Sequence, residues 1–276
     1  MSNRLTAPLL IREEGDAARS MPAAFGCGAV IAALGGLIGL GGAEFRLPLL
    51  IGAFRFAALQ AVILNKAMSL VVVGSALPFR AAAVPFASVT AHWPIIVNLL
   101  AGSLLGAWCG AGWATRLASR SLYRVIAVLL LGIAVVLVLG HDTGPASAML
   151  NGAVQLIAGV VAGVIIGIVA ALLGVAGGEL LIPTLVLLFG VDIKLAGSLS
   201  LAVSLPTMLV GFARYSRDRS FVVLGENRRF VLVMAAGSIL GSFISGRLLA
   251  FVPSAILLPL LAIILVLSAA KVWRHG

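Results

Sequence analysis

Two glutamates, Glu44 and Glu179, stand in the same local pattern 135 residues apart. Gly39-Leu-Gly-Gly-Ala-Glu-Phe-Arg-Leu-Pro48 aligns without a gap on Gly174-Val-Ala-Gly-Gly-Glu-Leu-Leu-Ile-Pro183. Both stretches lie in strongly apolar surroundings, where an ionisable side chain is costly and usually functional. Two chemistries are open to the paired carboxylates. They can carry protons and so couple transport to a proton gradient, or each can cap the helix that starts near its proline. The glycines Gly39, Gly41 and Gly42, with Gly174, Gly177 and Gly178, interrupt a helix inside hydrocarbon. Such a break is tolerated only where it faces protein or a wet cavity. Pro48 and Pro183 then suit the first turn of a new helix, because proline has no N–H to waste there. The unpaired N–H groups and positive dipole end of such a helix favour an anion.

Other polar residues close to the breaks divide into matched and unmatched sets. Arg46 and Arg55 occur only in the first stretch; either can counter the charge of an anion or pair with Glu44. Asn65, Lys66 and Ser69 follow the first break, and Ser198, Ser200 and Ser204 follow the second. Ser69 and Ser204 are the pair at the constant offset, and their hydroxyls can donate to sulfonate or carboxylate oxygens. Serine in a membrane helix also bonds its own preceding carbonyls, which is the competing reading. Lys66 fits the end of a span, with its amine reaching the headgroups. The substrate-binding set expected from the sequence is Gly39, Gly41, Gly42, Arg46, Ser69, Gly174, Gly177, Gly178 and Ser204. Glu44 and Glu179 are the coupling candidates. No metal, cofactor or catalytic group is expected.

The elements that hold these residues follow from composition. The 276 residues are 62% hydrophobic and 10% charged, against about a quarter charged in soluble domains. A core of that size could not hide so much apolar surface from water, so the solvent is lipid. Apolar segments fall near 22–42, 47–64, 66–84, 93–115 and 122–140, then 150–173, 180–190, 194–213, 230–250 and 255–273. The offset of 135 also brings Gly28 onto Gly163, Gly102 onto Gly237 and Gly106 onto Gly241. The expected fold is an all-α polytopic membrane protein of about ten embedded helices in two inverted repeats. Residues 1–21 form a polar cytoplasmic tail, 22–140 the first repeat, 141–149 an extracytoplasmic linker and 150–276 the second repeat.

Charge orients the repeats. The net charge of +10 is not spread over a solvated face beside stacking aromatics, as nucleic-acid binding requires. It sits between apolar runs: the N-terminal tail, Arg116/Arg120/Arg124, Arg214/Arg217/Arg219/Arg228/Arg229, and Lys271 with Arg274. Five crossings per half put all of these on the cytoplasmic side, as positive-inside bias demands, with both termini inside. The ladders Gly102/Gly106/Gly110 and Gly159/Gly163/Gly167 read as helix-packing faces. Trp93, Tyr123 and Trp273 read as interfacial anchors. Cys27 and Cys109 stand alone and carry no redox information.

The paired Gly-x-Gly-Gly-x-Glu-x-x-x-Pro stretches at 39–48 and 174–183, the second running on through Pro183-Thr-Leu-Val-Leu-Leu-Phe-Gly190, resemble the TauE/SafE sulfite-exporter family. The resemblance extends over nearly the whole chain. It implies a permease of the bacterial inner membrane for sulfur-containing anions such as sulfite, sulfoacetate or other organosulfonates. It places the site around Gly39–Pro48 and Gly174–Pro183 with Ser69 and Ser204 beside it. Ala43, Arg46 and Ala176 depart from the usual pattern and leave the substrate open. The expected partners are a small anion and the lipid bilayer, with homo-oligomerisation open and nucleic acid excluded. The rivals are a passive anion channel and a permease for a non-sulfur organic anion. An enzyme is disfavoured: His92, His141 and His275 all lie near span ends, and no aspartate lies deep in a span.

Overall fold

The computed structural model describes residues 20–38, 42–80, 84–139, 152–248, 266 and 270. Gly39, Gly41, the linker at 141–149, Trp273 and nearly all of the segment at 255–273 lie outside the described residues, as does the tail up to residue 19. The described chain is helical: α1 Met21–Ile38, α2 Ala43–Gly52, α3 Ala58–Arg80, α4 Phe86–Ala91, α5 Trp93–Ala114 and α6 Ser119–Leu139. The second half runs α7 Gly152–Leu173, α8 Gly178–Phe189 and α9 Ile193–Tyr215. Short turns at Arg219–Val222 and Val223–Glu226 lead to α10 Arg228–Leu248. Five of these helices are long and apolar enough to cross a membrane. The chain is therefore a multi-pass helical membrane protein.

The repeat extends to element boundaries. Shifted by 135 residues, α2 starts where α8 starts, and α3 matches α9 at both ends. The first residue of α5 falls likewise on the first residue of α10. Packing follows the same rule, because the two most extensive helix pairs are α5 on α7 and α1 on α10. Under the offset of 135 these two pairs correspond, α1 to α7 and α5 to α10.

Both interfaces rest on glycine. A methyl group at Gly102 would run into the Val160 carbonyl, and one at Gly106 into the Val164 carbonyl. From the other side, methyls at Gly163 and Gly167 would meet the Leu99 and Ser103 carbonyls. In the α1–α10 pair, Gly28 faces the Met234 carbonyl while Gly237 and Gly241 face those of Phe25 and Ala29. Where lipid removes the hydrophobic drive between helices, this close backbone approach supplies the packing energy. The expected packing role of the glycine ladders is what the structure has.

Helix directions follow from the same contacts. Ser103 Oγ lies 2.7 Å from Thr207 Oγ1, and Arg214 lies against Gly112, so α5 and α9 run parallel. Lys66 lies against Gly211, while Leu70, Val73 and Ala76 cluster with Leu201, Leu205 and Met208. The equivalent helices α3 and α9 therefore run antiparallel. The parallel pair brings Arg116 and the Arg214–Arg219 group to the same end of the bundle.

Two expectations need correction. The apolar stretch 47–64 is not one element: α2 ends at Gly52, a turn follows, and α3 begins at Ala58. Arg55 sits exposed in that turn at φ 56, away from the break at Gly42. Phe54 and Phe56 tie the turn to Phe230 of α10, with ring centroids 4.9 and 5.5 Å apart. Pro48 and Pro183 do not begin their helices either. Each is the sixth residue of α2 or α8; the helices start at a left-handed glycine instead. Within a helix, proline withholds the N–H owed to the carbonyl four residues back, here that of Glu44 or Glu179.

Candidate functional site

The breaks are made by backbone that only glycine adopts without strain. Gly42 (φ 69) precedes α2 and its counterpart Gly177 (φ 83) precedes α8, neither with a side-chain cap. Gly174 (φ 67) ends the run of α7, and Gly178 is the first residue of α8. At about 1.5 Å per residue, α2 and α8 reach only about 15–18 Å, so each starts and ends within the thickness of the molecule.

Arg46 is fully buried one turn into α2. Its Nη1 donates to Ser69 Oγ of α3 at 3.3 Å, and its Nη2 donates to Ser238 Oγ of α10 at 3.3 Å. Arg46 and Ser69, both expected at the site, thus meet in one cluster. Ser238 was not foreseen. It falls on Ser103 at the constant offset of 135, so the repeat held a signal for it. The guanidinium bridges the two halves of the chain, since α3 belongs to the first and α10 to the second.

The second break is organised differently. At its head, the position of Arg46 is taken by Leu181. Ser204 donates to the Ala176 carbonyl at 2.7 Å, so it binds the break and not its own helix, as the competing reading had it. Ser200 does bond its own helix, at Gly197 O. The Ser198 hydroxyl is buried with no hydrogen-bond partner among the described residues. Glu179 is fully buried in the first turn of α8, and among the described residues neither carboxylate oxygen accepts a hydrogen bond. Glu179 thus makes no hydrogen-bonded cap among the described residues, while its place in the first turn lies at the positive end of the helix dipole. Glu44 occupies the equivalent turn of α2, but its side chain lies outside the described residues.

Asn65 and Lys66 take a role the sequence did not reveal. Lys66 lies in the middle of α3, fully buried, and does not reach a headgroup. Its Nζ donates to the carbonyls of Ala170 and Val175 at 2.9 and 3.0 Å. Asn65 Nδ2 donates to those of Ala43 and Leu173, and the Tyr215 hydroxyl donates to Ala171 O at 2.8 Å. Carbonyls at the end of α7 and in the break after it are thus reached by side chains from α3 and α9, which add to the backbone N–H groups that Val175 and Gly174 give to Ala170 and Ala171. A cation there also meets the negative end of the helix dipole. Asn65 touches both breaks.

A helical membrane protein with two glycine-broken helices and a buried guanidinium between its halves has the outline of a transport protein. The sequence matches the sulfite exporter TauE/SafE family over residues 19–273, and the chain belongs to that family of transporters. No curated protein and no solved structure matches it.

Proposed function

We propose that this protein is a secondary transporter that exports small sulfur-containing anions, such as sulfite or an organosulfonate, in exchange with the proton gradient. The observation that carries the reading is the Arg46 cluster. A buried guanidinium at the head of a broken helix is shared between Ser69 and Ser238, hydroxyls from opposite halves. An anionic oxygen competes well for those donors, because charge-assisted hydrogen bonds are about twice as strong as neutral ones. Each displaced hydroxyl can rotate and donate to the same anion. Rocking one half against the other would part Ser238 from Ser69 and so alter the anion's ligands, which is what alternating access requires.

Glu179 is the proton carrier in this scheme, with Glu44 as its counterpart. A buried carboxylate that finds no donor among the described residues cannot stay charged cheaply in such surroundings. In this scheme the ten apolar segments of the sequence form two inverted five-segment repeats in the bacterial inner membrane, with both termini cytoplasmic. The antiparallel α3 and α9 and the shared end of the basic clusters support that arrangement.

Reconstituted protein is expected to take up sulfite or a sulfonate under an imposed pH gradient, with saturation and counterflow. Arg46→Gln should raise KM by about tenfold or more, as loss of a charged hydrogen-bond donor implies. Glu179→Gln should leave counterflow and abolish the response to the pH gradient. Flux without saturation or counterflow would make it a channel, and no movement of any sulfur anion at any gradient sinks the reading.

A further inference from the structure

At the end of the bundle where α5 and α9 finish together, two cations share one ring. The Arg214 guanidinium lies 5.6 Å and that of Arg217 5.1 Å from the centroid of Trp108. Arg214 also lies along Gly112, where a methyl group would stand 3.2 Å from its Nε. Neither guanidinium makes an ion pair or hydrogen bond among the described residues. The acid closest in sequence, Asp218, is engaged elsewhere, accepting from Ser220 N at 2.8 Å to cap the next turn. Two like charges held against one indole ring repel each other, and the cation–π attraction offsets only part of that repulsion. An anion between them removes the repulsion.

The surroundings identify the anion. Below Trp108 on α5, Leu105 is 64% exposed, and on α9 Leu209 is 53% exposed. In a chain that spans a bilayer these side chains face acyl chains. Trp113, 52% exposed one turn further along, is the amphipathic residue expected at headgroup depth. Apolar side chains thus lead from the hydrocarbon to an uncompensated pair of arginines, with indole rings at the boundary. Arginine's planar fork matches phosphate oxygens in a way a lysine amine does not.

We propose that the groove between the C-terminal ends of α5 and α9 binds an anionic phospholipid, its phosphate held by Arg214 and Arg217 and its chains lying along Leu105 and Leu209. The proposal rests on the bilayer reading of the chain and not on its transport substrate. Purified, delipidated protein titrated with phosphatidylglycerol or phosphatidylcholine and read by native mass spectrometry should retain phosphatidylglycerol preferentially. Arg214→Gln with Arg217→Gln should remove that preference, by about fivefold per arginine, without changing retention of phosphatidylcholine. Equal retention of the two lipids by the wild type overturns the proposal, as does an unchanged preference in the double variant. Should the double variant fail to fold, Arg217→Gln alone changes only an exposed side chain, and an undiminished preference there overturns it equally. Inorganic phosphate at millimolar concentration should not displace the lipid; if it does, the site belongs to a soluble anion. No arm of the experiment measures transport, so its failure leaves the transport reading untouched.

Discussion

Lys66 shows why a charged residue deep in an apolar helix need not touch a substrate. Its ammonium group meets two carbonyls at the end of α7, and Tyr215 meets a third. The Ala170 and Ala171 carbonyls also accept the backbone N–H groups of Val175 and Gly174, so losing Lys66 strips its charged donor from Ala170 O and leaves the buried Val175 carbonyl without this partner. Lys66→Met keeps the volume of the stem and is expected to cost about 3 kcal/mol of stability, as two charge-assisted bonds imply. Tyr215→Phe removes a single neutral bond and is expected to cost about 1 kcal/mol. Thermal unfolding in detergent checks both. Because they cap the same turn, the double variant should differ from the sum of the singles by about 0.5 kcal/mol or more. Strict additivity would mean that the two side chains act independently.

The broken helices depend on two glycines that look alike in sequence and differ in their surroundings. Gly42 and Gly177 both have left-handed φ angles, so alanine at either meets a backbone penalty of about 1–2 kcal/mol. At Gly177 the added methyl would meet side-chain tips, Ile166 Cγ2 at 3.1 Å and Ala170 Cβ at 3.2 Å. At Gly42 it would run into the Ile31 carbonyl of α1, which can yield only if the helix moves. Gly42→Ala should therefore lower the unfolding temperature more than Gly177→Ala. Equal effects would show that only backbone strain matters at these positions. The same contrast marks what sequence can convey. The constant offset located both glycines, both glutamates and the matched serines, because duplication preserves spacing. It could not distinguish Gly42 from Gly177, since the colliding carbonyl comes from packing. Proline was misread for a related reason: its preference for a first turn is a statistical habit, whereas the left-handed glycine sets the actual start. Asn65 and Lys66 were legible as unusual, but nothing in their own segment named the carbonyls of α7 as their partners.

The two halves together make a testable statement about direction. The parallel course of α5 and α9 brings the turn at Ala118 and the turn at Ser216 to one end of the bundle, whereas α4 precedes α5 at the other end. In the proposed ten-crossing topology, 118 and 216 share a compartment and 87 faces the opposite one. Positive-inside bias assigns the shared compartment to the cytoplasm, because Arg116, Arg120 and Arg124 flank one turn and Arg214, Arg217 and Arg219 flank the other. The native thiols are few enough to remove, Cys27 and Cys109 being the only two. In a background with both changed to alanine, Ala118→Cys, Ser216→Cys and Ala87→Cys each introduce one reporter. An impermeant maleimide should label the first two only in inside-out vesicles and the third only in right-side-out ones. Labelling of 118 and 216 from opposite faces would remove one crossing from a half, and with it the inversion that relates α3 to α9. The proposed inverted pair has the further consequence that Arg46, present in one half and replaced by Leu181 in the other, presents unequal faces to the two compartments. Transport through such a protein should be intrinsically asymmetric, so the same sulfur anion should show different KM values from the two sides of right-side-out and inside-out vesicles.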